Sequence, residues 1–248
     1  MSKRHKIVPP HPAQRHWPPF GPIASLLLAC GLAAAAATAH STAHSTDPAT
    51  DPSAGQAPAE AAVEPVAPNA IGAVVSCVIC HGAKGEGNTR LGAPRVGGLS
   101  EWYLARQLRN FRDGIRGYDE VDIHGTQMRA MTLAVESVEV LDELARYLAS
   151  LSPPEADTVT EGDVERGEQL YAVCAACHGA DGLGKEELNA PALKGQHDEY
   201  LVRQLNNFRQ GLRGANANDT YGAQMVPIMN ALPAEQDIID VVAYINTL

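Results

Sequence analysis

"SCVICHG" at Ser76–Gly82 and "VCAACHG" at Val173–Gly179 carry the pattern Cys-x-x-Cys-His twice in one chain of 248 residues. Cysteine is otherwise almost unused. Of five cysteines, Cys77, Cys80, Cys174 and Cys177 fall in these two pairs, and the fifth is Cys30. A small domain held by disulfides scatters its cysteines over several spacings and does not follow each pair with histidine. The pairs therefore read as attachment points.

On a helical turn, cysteines at i and i+3 share a face, and a histidine at i+4 lies beside the first of them. Two thiols and an imidazole converge. This is the signature by which two vinyl groups of haem are added to thiols while the histidine ligates iron. It predicts two covalently bound haem c groups, one on Cys77 and Cys80 with His81, the other on Cys174 and Cys177 with His178. A four-cysteine zinc site brings its pairs within about 15 to 20 residues of each other, whereas Cys77 and Cys174 stand 97 positions apart. A thioredoxin-like pair needs strand and helix alternating around it, and that pattern is missing.

The same offset of 97 lays the chain on itself without a slip from Cys77 to the end. "APRVGG" at Ala93 meets "APALKG" at Ala190, and "YLARQLRNFRDGIRG" at Tyr103 meets "YLVRQLNNFRQGLRG" at Tyr200. "GTQM" at Gly125 meets "GAQM" at Gly222, and "LDELARYLASL" at Leu141 meets "IIDVVAYINTL" at Ile238. The domain is duplicated. Each copy is roughly 80 to 90 residues, a size at which an aliphatic core alone is marginal and a large buried cofactor supplies what is missing.

Each copy reads as helical. "SEWYLARQLRNFRDG" offers Ser100 as N-cap, Tyr103, Leu104, Leu108 and Phe111 at helical spacing, and Gly114 as terminator. The closing segments keep the same period through Val138, Leu141, Leu144 and Leu148, and through Ile238, Val241, Val242 and Ile245. Between these helices lie glycine-rich connections. Sustained period-two alternation is absent, so the expected class is all-α.

Haem iron needs a sixth ligand or stays open for chemistry. The repeat selects among the methionines. Met128 shifted by 97 is Met225, whereas Met131 meets Ile228 and Met229 meets Thr132. Only Met128 and Met225 recur in register, inside the duplicated Gly-x-Gln-Met, and they are the expected axial ligands. His124 and His197 match Tyr221 and Ser100, so packing or solvated roles suit them better. The paired arginines Arg106 with Arg203, Arg112 with Arg209 and Arg116 with Arg213 either neutralise haem propionates or line a solvated helix face.

The organisation follows. Residues 1–39 read as a signal peptide, with Lys3, Arg4, Lys6 and Arg15 ahead of an apolar run from Pro22 to Ala39. Cleavage after Ala39, lipidation at Cys30 and retention as an anchor remain open. Residues 40–68 form an Ala/Pro-rich flexible tether, 69–151 the first domain, 152–158 a linker carrying a double proline, and 159–248 the second domain. Without the leader the chain holds 15 Lys+Arg (19 less 4) against 29 Asp+Glu, a net charge of −14, which disfavours nucleic acid. The copies differ: residues 72–151 carry 9 basic and 10 acidic side chains, and 159–248 carry 6 and 13.

These motifs resemble the dihaem cytochrome c4 family, two fused class I cytochrome c domains each wrapped round a covalent haem. The resemblance runs from Asn69 to Leu248 and rests on "CVICHG" and "CAACHG", "AP-x3-G", "YL-x-RQL-x-NFR-x-G-x-RG", "G-x-QM" and the closing helix. It implies His/Met ligation of both irons, His81 with Met128 and His178 with Met225, and a carbonyl of Pro94 or Pro191 accepting from each proximal histidine. The first and last helices of each domain should cross at Ala70 or Gly167, beside Tyr147 or Tyr244. It further implies a periplasmic electron carrier of a respiratory chain, soluble or tethered by its N-terminus, passing electrons between redox partner proteins, commonly toward a terminal oxidase, with no catalytic residues of its own. A dihaem oxidoreductase, or the cytochrome subunit of a dehydrogenase complex, is the alternative. One departure stands out: "APNAIGAVVSC" leaves the length of the first domain's opening helix open, whereas "DVERGEQLYAVC" opens the second well.

Overall fold

The computed structural model describes residues 65–248, Asp157 excepted. The leader with Cys30, and the tether up to residue 64, lie outside the described residues. None of the described helices is long and apolar enough to cross a membrane.

Each copy is built from four α-helices: α1 (Ile71–His81), α2 (Glu101–Arg112), α3 (Ile123–Leu133) and α4 (Val138–Ser150), then α5 (Val164–His178), α6 (Asp198–Arg209), α7 (Gly222–Ile228) and α8 (Glu235–Ile245). Among the described residues the only β-structure is one isolated bridge per copy, Asn88 with Ala93 and Lys185 with Ala190. The all-α expectation holds. Helices α2 and α6 begin and end 97 positions apart, as do the last residues of α1 and α5, so the repeat is structural as well as textual.

The opening helices settle the open point. Asp163 caps α5 by accepting from the Arg166 amide, and the helix runs 15 residues to His178; α1 has no side-chain cap and runs 11. In the first copy Ala70 sits in a preceding 3-10 turn, fully buried against Leu141 and Leu144. In the second, Gly167 lets α5 approach α8 so closely that a Cβ there would overlap the Asp240 carbonyl and stand 2.8 Å from Cβ of Tyr244. Gly167 therefore occupies its expected crossing beside Tyr244, whereas Ala70 meets α4 at Leu141 and Leu144 from the turn before α1, not on the helix itself.

Two local expectations need correction. Ser100 stands at the N-cap of α2, but its side chain makes no capping hydrogen bond. More consequentially, Gly-x-Gln-Met does not lie in an irregular connection. It lies on α3 and α7, because Asp122 accepts from the Gly125 amide and Asp219 from the Gly222 amide, each at the start of a turn. Asp122 is the N-cap of α3, and Asp219 makes the same bond to Gly222, the first residue of α7, whose N-cap position Tyr221 has no side-chain cap. Pro227 interrupts α7, which continues as a 3-10 turn at Met229–Ala231.

Apolar periodicity places the core. In α4, Leu141, Leu144, Ala145 and Leu148 are buried, and in α8 Ile238, Val241, Val242 and Ile245 are buried. The second copy gathers Tyr171, Leu201, Phe208 and Met229 round α8 in one cluster. The first splits its core into two smaller clusters, one round Ala70 and one round Leu104 and Leu148, as expected where the opening helix is shorter.

Candidate functional site

Each Cys-x-x-Cys-His motif forms the last turn of its opening helix. A loop then doubles back: Gly87 donates to the His81 carbonyl at 2.7 Å and Gly184 to that of His178 at 2.8 Å. The bridge residues that follow bring Pro94 and Pro191 against the imidazoles. Gly87 (φ +90°) and Gly184 (φ +83°) are required here, since a Cβ would stand 2.8 Å and 2.6 Å from the carbonyl carbons of Pro94 and Pro191.

His81 Nδ1 donates to the Pro94 carbonyl at 2.8 Å, and His178 Nδ1 to that of Pro191 at 2.8 Å. That bond holds the proton on Nδ1 and leaves Nε2 as the lone-pair donor. Both histidines are buried, and burial lowers their pKa while the carbonyl bond opposes it. They stay neutral, the form that ligates metal. All four thiols of the motifs are free; Cys77 and Cys174 are half-buried, and Cys80 and Cys177 are exposed. Burial raises the Cys77 pKa and, with Cys177 beside it, pushes Cys174 up to about 11.

A cavity of about 470 Å³ is lined by both motifs, by Pro94 and Pro191, and by Met128 and Met225. Met131 also lines it but is 42% exposed, while Met229 is absent from its walls and packs in the second core. The structure thus brings each histidine and its in-register methionine to one cavity and sends Met229 elsewhere.

The paired arginines separate into two kinds. Arg112 donates to the carbonyls of Thr132 and Val135 at the end of α3, and Arg209 pairs with Glu235. These two are structural. Arg106, Arg116, Arg203 and Arg213 line the cavity and reach across to the other copy. Arg116 donates to Tyr200 Oη at 3.0 Å and Gln204 Oε1 at 2.8 Å, and Arg213 to Tyr103 Oη at 3.3 Å and Gln107 Oε1 at 3.2 Å. Arg106 donates to the Asn189 carbonyl at 2.9 Å, and Arg203 to the carbonyl of its counterpart Gly92 at 2.5 Å. The contacts are reciprocal, as in an interface about a two-fold axis.

Sequence reasoning missed a second, unsymmetrical set of contacts. Gln196 accepts from the Arg95 amide at 3.0 Å and donates to the Arg95 carbonyl at 2.8 Å, and buried His197 Nε2 meets the Glu86 carbonyl at 2.8 Å. Neither residue recurs in the first copy, so the repeat gave no signal for them. His124 lines the cavity, with its ring packed where a Cβ on Gly92 would fall.

The cavity fits haem. Nε of Arg106, Arg116 and Arg203 are buried without a hydrogen-bond partner. Three unsatisfied cationic donors on a largely apolar cavity call for carboxylates, which the propionates of a porphyrin carry. The free thiol pairs and the lone-pair nitrogens complete the set. Fold and site together define a c-type cytochrome with two haem domains.

Comparison with known proteins agrees. The cytochrome c family model matches residues 164–248. Cytochrome c4 of Azotobacter vinelandii is 33% identical over 195 residues, covering 71% of this chain and 86% of the relative. A thiosulfate dehydrogenase electron acceptor of Thiomonas intermedia is 36% identical over 152 residues, 57% of this chain and 66% of that protein. The solved cytochrome c4 of Acidithiobacillus ferrooxidans superposes with a TM-score of 0.58 at 25% identity, over 70% of this chain and 99% of that one. The chain belongs to the cytochrome c4 family. It is an electron-transfer protein with two covalently bound haem c groups.

Proposed function

We propose that this chain is an exported carrier that works in the periplasm, within a respiratory chain, between a donor dehydrogenase and an acceptor such as a terminal oxidase. Cys77, Cys80, Cys174 and Cys177 are the thioether positions. His81 with Met128, and His178 with Met225, are the axial pairs. The copies act as two domains, 69–151 and 159–248, joined by the linker at 152–158.

The observation that carries the reading is the single cavity into which both motifs and both in-register methionines open. Haem bound through these motifs would supply a one-electron iron couple to each copy. The chain's own residues do the rest: the Pro94 and Pro191 carbonyls orient the imidazoles, and the cross-copy arginines Arg106, Arg116 and Arg203 would offer their unpaired Nε donors to haem carboxylates. Matched ligand sets leave neither iron open, which favours a carrier over a dihaem oxidoreductase. The leader supports export, and with it haem attachment outside the cytoplasm. Similarity to the Thiomonas thiosulfate dehydrogenase electron acceptor supports a dehydrogenase of that class as donor.

The test is ligand binding. Reduced holoprotein titrated with carbon monoxide at neutral pH should show two six-coordinate haems and no stoichiometric adduct, and the oxidised protein should not turn over thiosulfate or peroxide. Carbon monoxide binding at one haem together with turnover overturns the carrier reading. Purified thiosulfate dehydrogenase with thiosulfate should reduce the protein; failure to do so removes that donor class alone.

A further inference from the structure

The copies diverge most tellingly on the outer face of the opening helix. Ile71, Val75 and Ile79 follow one another at i, i+4 and i+8 along α1, and they are 52%, 57% and 73% exposed. Such spacing puts them in one row. At the same register α5 carries Glu168, Ala172 and Ala176. The first copy thus displays an aliphatic stripe where the second has a charge and two small residues. Ile79 stands between the two motif cysteines and next to exposed Cys80, so the stripe runs up to the point where the haem is attached.

Charge sharpens the contrast. From Pro65 to Ala83 the chain has no Lys, Arg, Asp or Glu, whereas α5 carries Glu165, Arg166 and Glu168. A charged group buried against Ile71, Val75 and Ile79 would lose its hydration and find no counter-ion on α1 itself. The surface therefore selects an uncharged, apolar occupant and rejects charged ones. A membrane is a poor candidate, because helices that lie on bilayers carry Lys or Arg on their polar face. A second copy of this chain is opposed by the acidic excess of the second domain, 13 acidic against 6 basic side chains.

We infer that the Ile71–Val75–Ile79 stripe is the docking face for one redox partner, a protein whose own cofactor lies beneath an apolar, charge-free patch. The inference rests on the carrier reading and adds which end of the molecule meets which kind of partner. The first domain docks by apolar burial, without dependence on salt; the acidic second domain meets basic surfaces through salt-sensitive attraction.

Two probes of known surface test it with the full-length holoprotein: a small blue copper protein whose copper lies under an uncharged apolar patch, and a cytochrome whose haem edge is ringed by lysines. Dithionite and ferricyanide first establish that both haems of every variant cycle reversibly; failure there overturns the carrier reading rather than the docking face. With the copper protein, second-order rates should be independent of ionic strength and fall about tenfold or more in V75E/I79E. They should stay unchanged in A172E/A176E. V75A/I79A, which copies the second domain's side chains, keeps the test open should the glutamates impair folding, and should slow the same reaction to a lesser extent. With the lysine-ringed probe, rates should fall as salt rises and should not fall in V75E/I79E. Zinc-substituted copper protein, which cannot exchange electrons, should shift amide resonances of α1 and not of α5. Equal effects of the two glutamate pairs, no effect of V75E/I79E or V75A/I79A, loss of a dimer in those variants, or loss of binding to neutral phospholipid vesicles would each overturn the inference.

Discussion

Arg116 donates to Gln204 across the boundary between the two copies at 2.8 Å, and a shift of 97 residues turns this contact into that of Arg213 with Gln107 at 3.2 Å. Arg116 also reaches Gln107 at 2.8 Å and Arg213 reaches Gln204 at 2.9 Å, so two guanidiniums and two amide oxygens close a ring. Both arginines are buried. Replacing Gln107 and Gln204 by leucine leaves buried N–H groups without acceptors, at a cost of about 1–3 kcal/mol for each group left unpaired. Thermal unfolding of the holoprotein should show the loss, and electron equilibration between the haems should slow. An unchanged melting temperature would mean that the ring contributes nothing to cohesion.

The methionines separate by burial as well as by register. Met128→Ala and Met225→Ala should each remove one methionine-to-iron band from the red end of the oxidised spectrum and lower the potential of that haem. Met229 is only 4% exposed within the second core. Met229→Ala should keep both bands and cost about 2–5 kcal/mol of stability instead. Met131→Ala should do neither. Optical spectra and denaturant unfolding of the four variants decide the assignment.

Gly167 lets α5 cross α8 at close range. Alanine at this position forces α5 away from the Asp240 carbonyl and Tyr244, and should destabilise the second domain by about 1–3 kcal/mol. The shift should also move the end of α5 that carries His178. Circular dichroism melts, with the haem spectrum as a second readout, test both effects.

Asp198 gives a pH dependence. It is fully buried, and burial alone would raise its pKa, but hydrogen bonds from Thr160 and from the Val159 and Glu199 amides outweigh this and hold it below the usual carboxylate value. A pKa depressed on folding contributes stability that is fully present above the unfolded value and is lost as pH falls through the folded one. The opening residues of the second domain, Val159 and Thr160, should therefore detach from α6 in acid. Asp198→Asn should be about 1–3 kcal/mol less stable at neutral pH, with the difference narrowing toward low pH. Urea unfolding over a pH series measures it; a constant difference would exclude the carboxylate as the cause.

Much of the site was legible because its information is local. Cys-x-x-Cys-His is a spacing within two turns of helix, and the periodicity of Leu141, Leu144 and Leu148 is likewise carried by neighbours in sequence. The helical setting of Gly-x-Gln-Met was not legible: its glycine argued for a connection, and the decisive bond from Asp122 or Asp219 becomes visible only when the carboxylate is seen on the Gly125 or Gly222 amide.

By itself the sequence determined that there are two copies, that each binds haem through one motif, and which methionine recurs beside it, because duplication preserves register and register can be read in one dimension. Tertiary structure alone decided which paired arginines face the other copy and which cap or brace their own, that Gln196 and His197 join the copies, and that the first copy bares an aliphatic stripe beside its haem cysteines. Contacts such as Arg116 with Gln204, 88 residues apart, depend on how two complete domains meet, and no helical period or motif spacing records that.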